Sequence, residues 1–178
     1  MKPLRPRYSK IDAIILDLLR KYKIRSPAIP VDKIAEEEGA SIVFKQFNNE
    51  VSGLLLRQNN TAIIAVERDQ PPARRRFTVA HELAHLLLHE GTELRVDKKF
   101  RVNLRSAESS TAEDVEEIEA NAFAAGLLMP EDFLKKDLEN VVFDVEDTQQ
   151  VHDLAKRYEV STQAMTIRLV NLMSRGRL

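Results

Sequence analysis

The segment 81–85, His-Glu-Leu-Ala-His, constrains the fold of this chain more than any other feature. It lies in the stretch 77–89, which lacks Gly and Pro and has apolar residues spaced as in a buried α-helix. On a helix, residues four apart share a face and lie about 6 Å apart along the axis. A buried polar group without a partner costs about 1 to 3 kcal/mol. The two imidazoles therefore need a partner, and a metal ion that both can reach supplies one.

The pattern HExxH on a helix is typical of a catalytic zinc site. It predicts His81 and His85 as metal ligands, with Glu82 placed to take a proton from a metal-bound water. The alternative is a chance match with two core histidines, expected on the order of once in a few hundred chains of this length. Nitrogen and carboxylate ligands suit Zn²⁺ and do not exclude Mn²⁺ or Fe²⁺. Because the chain has no cysteine, thiolate ligands are excluded.

A catalytic zinc ion usually takes three protein ligands, so a third must be found. His89 continues the spacing, but three such positions span about 12 Å, too far for one straight helix to direct all three side chains at one centre. The candidate lies in a helix predicted over 111–130, where Glu119 marks the change from acidic to apolar residues. Glu119 is the predicted third ligand, and Glu116 is the alternative. The other acids of the first turns, including Glu117, are interpreted as a solvated helix start.

Two blocks of the chain closely resemble the ImmA/IrrE family of metallopeptidases. The first runs from Arg74 through the histidine motif to His89, and the second covers 119–130, Glu-Ala-Asn-Ala-Phe-Ala-Ala-Gly-Leu-Leu-Met-Pro. Shorter similar stretches at 30–35 and 160–169 extend the resemblance over most of the chain. The two central blocks together are highly specific.

This family is similar to thermolysin-type gluzincins, which implies His81, His85 and Glu119 as ligands and Glu82 as general base. The resemblance also implies an intracellular enzyme that cleaves a DNA-binding transcriptional repressor or an antitoxin-like regulator and so relieves repression. One position departs from the gluzincin pattern. An acid one turn after the glutamate ligand orients a ligand histidine in thermolysin-like sites, and that position here is Phe123. Another group must therefore orient the imidazoles, and the candidates are Glu116, His89 and a backbone carbonyl.

The rest of the chain predicts an α+β fold, with a small antiparallel sheet packed on a zincin-type helical core. Segment 52–56 is the predicted exposed edge, to which an extended peptide substrate could add as a strand. The basic stretch 91–110 is predicted to be a loop near the cleft. A first helix is predicted to be capped by Ser9. The predicted strands are 41–47, 52–57 and 61–66, and the predicted N-terminal helices are 9–22 and 31–38.

Residues 1–140 are predicted to form the metallopeptidase domain, with 141–178 as a helical appendage packed on it. Helices predicted over 148–158 and 161–172 have helix-turn-helix spacing, with Ser161 as the cap of the second. This spacing supports a rival hypothesis, a DNA-binding protein that uses the metal only structurally. Its phosphate-contacting candidates are three arginines, Arg157, Arg168 and Arg175. A third hypothesis, independent of this spacing, is a metal or stress sensor whose occupancy regulates partner binding without turnover.

The composition argues against the DNA-binding hypothesis. A net charge of −1 over 178 residues gives no general attraction to nucleic acid, so the expected partner is a protein substrate. The apolar stretch 11–19 is interrupted by Asp12 and Asp17, which predicts an amphipathic helix and neither a signal peptide nor a membrane segment. A cytoplasmic location is the resulting expectation.

Overall fold

A computed structural model describes residues 5–47, 51–58, 61–89, 94–98, 112–139, 141 and 144–178. Helices and a four-stranded sheet share one hydrophobic core, which confirms the predicted α+β class. The helices are α1 (Tyr8–Lys21), α2 (Val31–Glu37), α3 (Pro72–Leu88), α4 (Ala112–Leu128), α5 (Glu131–Leu138), α6 (Thr148–Tyr158) and α7 (Thr162–Met173). None of the helices in the described ranges is long and apolar enough to cross a membrane.

The sheet has four strands, β1 (Ala40–Lys45), β2 (Val51–Gln58), β3 (Thr61–Glu67) and β4 (Leu94–Lys98), in the order β1-β3-β2-β4. Strand β2 is antiparallel to β3 and to β4, whereas β1 runs parallel to β3, so the sheet is mixed. The predicted edge at 52–56 is wrong, because β2 has a hydrogen-bonded neighbour on each side. The edge next to β2 is β4, so the loop predicted over 91–110 is wrong at 94–98.

Helices α3 and α4 pack against each other at the centre of the molecule. Proline in its first turn suits the start of α3, because the missing N–H would have no helical partner there. Helix α4 presents Ala120 and Ala124, both fully buried, and these short side chains allow the two backbones to approach closely. Strands β2 and β3 contact α3 as well, so the HExxH segment lies between the sheet and α4.

Helix α1 packs across α4 at Gly126. A Cβ atom at this position would lie 2.7 Å from Cδ1 of Ile15, so any larger residue would require the end of the Ile15 side chain to move. The predicted cap Ser9 is wrong, because α1 begins at Tyr8 with Arg7 as its N-cap residue. The Arg7 side chain makes no capping hydrogen bond, and the backbone N–H of Arg7 donates to the Glu119 carboxylate of α4.

The C-terminal helices belong to the same core as the rest of the chain, because Tyr158, Met165 and Leu169 are fully buried in it. Ser161 caps α7 as predicted, with its Oγ accepting from the N–H of Ala164 at 3.1 Å. The division at residue 140 stays a prediction.

The three arginines of the DNA-binding hypothesis all contact protein groups. Arg157 pairs with Asp137 at 2.9 Å, and Arg168 donates to the carbonyl of Met129 at 3.2 Å. The guanidinium of Arg175 lies over the ring of Tyr8, 5.1 Å from its centroid. A phosphate would have to compete with these contacts.

Candidate metal centre

Three side chains from α3 and α4 converge where the two helices face each other. The Nε2 atoms of His81 and His85 lie 3.0 Å apart. Carboxylate oxygens of Glu117 lie 3.3 Å from the first Nε2 and 3.5 Å from the second. Both imidazoles are fully buried, and Glu117 is partly exposed, so the group is open to solvent on the α4 side. Within the described ranges, these three residues form the group of ligand atoms that could hold a metal ion.

The separations between the candidate ligand atoms fit a zinc ion. At Zn–N and Zn–O distances of about 2.0 to 2.1 Å, two ligands of a tetrahedral site are separated by about 3.3 Å. The observed separations of 3.0, 3.3 and 3.5 Å bracket this value. Two imidazole nitrogens and one carboxylate are also a ligand set found in catalytic zinc sites, with one position left for water or substrate.

Asn121 orients the first imidazole. Its Oδ1 lies 3.2 Å from Nδ1 of His81, and because an amide oxygen can only accept, Nδ1 must carry the hydrogen. Nε2 of that ring is then the nitrogen with the lone pair, as metal binding at this atom requires. Asn121 lies one turn after Glu117 on α4, so one helix supplies both the carboxylate and the orienting group.

Glu119 lies in a different environment from the predicted one. Its carboxylate is fully buried and accepts from the backbone N–H of Arg7 at 2.6 Å, and from its Nε and Nη2 at 2.9 and 2.6 Å. Its Oε2 also lies 2.9 Å from Nε2 of His89. Burial by itself raises the pKa of Glu119, but the side-chain and backbone hydrogen bonds from Arg7 and the bond from His89 outweigh it and lower the pKa to about 2.

The sequence contained a signal that distinguishes the two glutamates. Residues four apart share a helix face, so Glu117 shares its face with Asn121 and Glu119 shares its face with Phe123. Phe123 is fully buried and apolar, and it cannot orient an imidazole. Asn121 thus occupies, relative to Glu117, the helix position that Phe123 occupies relative to Glu119. The alternative Glu116 is also buried, and it adds to the negative charge around Arg7.

Glu82 is fully buried on α3, adjacent in sequence to the first imidazole. Its carboxylate packs against the backbone of Gly53 in β2. A Cβ atom at Gly53 would overlap the carboxylate and would lie 2.6 Å from Cγ2 of Thr78. The absence of a side chain at this position of the sheet therefore leaves the space that the Glu82 carboxylate occupies.

The C-terminal end of α3 is held by an arginine of the sheet. Nη2 of Arg57 donates to the backbone carbonyls of His85 and His89. These carbonyls lie at the negative end of the helix dipole, where a cation is favourable. Strand β2 thus contacts α3 both at Glu82, through Gly53, and at its last turn.

Three side chains whose chemistry suits the stabilisation of an oxyanion, Tyr158, His152 and Arg76, lie in structural contacts. Tyr158 is fully buried and donates to Asp137 at 2.8 Å. Arg76 donates to the carbonyl of Ile29 at 2.8 Å, and Nδ1 of His152 lies 3.4 Å from the hydroxyl of Thr162 on the neighbouring helix.

The sequence of this chain matches the model of a known protein family. A family model described as Peptidase M78, IrrE N-terminal-like domain, matches residues 35–170, so the class is that of the metallopeptidases. The chain belongs to this family, the ImmA/IrrE family, which confirms the predicted resemblance.

Two further similarities are informative. The chain is 27% identical over 142 residues to uncharacterized immunity region protein 2 of Bacillus phage phi105, covering 79% of this chain and 80% of the phage protein. A Mycobacterium tuberculosis transcriptional regulator has a similar fold, with a TM-score of 0.61 at 18% identity. That match covers 90% of this chain and 46% of the regulator, so the chain spans about half the length of that protein.

Proposed function

We propose that the protein is a zinc-dependent endopeptidase of the cytoplasm that cleaves a DNA-binding repressor or an antitoxin-like regulator and so relieves repression. The observation that carries this proposal is the group formed by His81, His85 and Glu117, whose ligand atoms are separated by the distances of a tetrahedral zinc site. Membership of a metallopeptidase family and similarity to a phage immunity-region protein support it.

In this proposal the metal ligands are His81, His85 and Glu117, with Glu117 taking the place predicted for Glu119. A zinc ion held there would lower the pKa of a bound water and polarise the scissile carbonyl. Glu82 is the general base. Its carboxylate accepts a proton from the attacking water and returns it to the leaving amine, and the backbone of Gly53 fixes its position.

Strand β4 is the proposed docking edge for the substrate, in place of the segment 52–56. It is the terminal strand of the sheet, and its Leu94 and Val96 are 51% and 44% exposed. An extended peptide that pairs with such an edge gains backbone hydrogen bonds, while alternate side chains give specificity. Strand β4 pairs with β2 at Gly53, the residue that contacts Glu82. A peptide paired with the outer edge of β4 would therefore be separated from β2 by the single strand β4.

The decisive experiment combines cleavage and zinc uptake in Glu82→Gln. The purified protein with zinc should make a defined cut in a helix-turn-helix repressor encoded beside its gene. Glu82→Gln should abolish the cut and still take up zinc, because it removes the base and leaves the three ligands. Glu37→Gln is the matched control, since Glu37 is an exposed acid of α2. If Glu82→Gln cleaves as fast as the wild type, the proposed role of Glu82 is wrong.

The same experiment distinguishes the rival sensor function. A sensor without turnover would take up zinc and bind the repressor without cutting it, and it would relieve repression equally well with Glu82→Gln. Relief of repression that survives this substitution would therefore contradict the peptidase proposal.

A further inference from the structure

A continuous chain of hydrogen bonds joins the N-terminal segment to the second candidate ligand. Arg7 donates from Nε and Nη2 to Glu119, whose Oε2 lies 2.9 Å from Nε2 of His89. Nδ1 of His89 in turn lies 2.8 Å from Nδ1 of His85. His85, His89 and Glu119 are all buried, and Arg7 reaches them from the N-cap of α1.

The direction of each bond in this chain follows from which groups can donate. An arginine has only donors, so the Glu119 carboxylate accepts from it, and the same carboxylate accepts from Nε2–H of His89. A neutral imidazole with hydrogen on Nε2 has a bare Nδ1, which can only accept. His85 must then donate from its own Nδ1–H, and its bare nitrogen is Nε2. This is the atom that faces His81 and Glu117.

The opposite arrangement is incompatible with metal binding at this atom. If Nδ1 of His89 carried the hydrogen, Nδ1 of His85 would be the acceptor, and its Nε2 would carry the other hydrogen. That hydrogen would occupy the position of the metal. Each contact of the chain has one donor and one acceptor when each imidazole carries a single hydrogen.

We propose that Arg7, Glu119 and His89 are positioning residues that hold the His85 ring in its Nδ1–H tautomer with the bare Nε2 facing the candidate metal centre. The inference rests on the proposed function, because it assumes that the centre binds a metal. In this proposal Arg7 affects metal affinity through the side chains of Glu119, His89 and His85, without itself contacting the metal. The proposal also gives the buried Glu119 a role other than that of a ligand.

The tautomer can be measured in the wild-type protein without a substitution. Long-range ¹H–¹⁵N correlation spectra of the zinc-loaded protein near neutral pH should show His85 bound through Nε2 with its hydrogen on Nδ1, and His89 as the Nε2–H form. A His89 ring with its hydrogen on Nδ1, or a His85 ring bound through Nδ1, would overturn the inference. This measurement remains decisive if a variant fails to fold.

Zinc affinity provides the second test, measured by competition with a chelator of known affinity. His89→Phe fills a similar volume and breaks the chain, and it should weaken zinc binding about 10- to 100-fold, the usual effect of losing a group that orients a ligand. Arg7→Ala should weaken it in the same direction, and Arg7→Lys should restore part of the loss. Arg5→Ala, in the same segment and exposed, should leave the affinity unchanged.

The two proposals fail in different ways. If the folded wild type takes up no zinc, the proposed function fails. If the wild type binds zinc and folded His89→Phe binds it equally tightly, the metal centre stands and the positioning chain is wrong. Circular dichroism of each variant establishes which of them are folded before affinities are compared.

Discussion

Removing the Arg7 side chain should destabilise the fold by about 3 kcal/mol. Arg7→Ala deletes two hydrogen bonds to a fully buried carboxylate and one, of 3.3 Å, to the carbonyl of Leu88, and it retains the backbone N–H bond to Glu119. Breaking a buried ion pair costs about 3 to 5 kcal/mol, because the remaining charge is left without its partner. The lower end of this range applies, since the Arg7 side chain is 33% exposed and water can replace part of its interaction with the carboxylate.

Thermal unfolding of the metal-free protein measures this loss. In a domain of this size, a loss of 3 kcal/mol corresponds to a fall of about 6 to 12 °C in the unfolding midpoint. Arg5→Ala is the control, because it removes the same side chain from an exposed position two residues away. A midpoint for Arg7→Ala within about 2 °C of the control would refute the argument, since a broken buried ion pair cannot cost so little.

Three further substitutions test other contacts of the site and the core. Gly53→Ala should abolish cleavage, because the added methyl group displaces the Glu82 carboxylate, and it should destabilise the fold by about 1 to 3 kcal/mol as overpacking does; wild-type cleavage would contradict this. Asn121→Ala should weaken zinc binding about 10- to 100-fold through loss of the imidazole orientation, with Asn121→Asp retaining most of the affinity; equal affinity in the alanine variant would show that Asn121 does not orient the ring. Tyr158→Phe should lower the free energy of unfolding by about 1 to 2 kcal/mol in urea titrations, because the buried hydroxyl donates to Asp137; a gain in stability would contradict this.

The two helices of the site could be predicted because they carry local signals. Helix α3 has an uninterrupted apolar period, a favourable proline in its first turn and the HExxH spacing, all of which lie within one segment of sequence. Glu119 could not be assigned in this way. It stands at the border of the apolar run, which singled it out among the acids, but its partner Arg7 is 112 residues away in sequence. Local pattern does not reveal which cation balances an acid.

The sheet shows the same limit. Three of its strands are runs of apolar or β-branched residues, whereas the Arg, Asp and Lys residues of β4 obscure the alternation of Leu94 and Val96. Strand order depends on long-range pairing, so the sequence did not reveal that β2 lies between β3 and β4, or that β1 runs parallel to β3. The sequence does not predict α5, because this helix begins directly after Pro130, the predicted end of the preceding helix.

The central claim is that Glu117, and not Glu119, completes the metal centre. Glu117→Gln and Glu119→Gln make the same chemical change two residues apart, and the zinc dissociation constants of both can be compared with that of the wild type by chelator competition. We expect stoichiometric zinc in the wild type and loss of tight zinc binding in Glu117→Gln. We expect Glu119→Gln to keep the metal site with reduced zinc affinity. Tight binding in Glu117→Gln together with zinc lost from Glu119→Gln would contradict this claim and restore Glu119 as the third ligand.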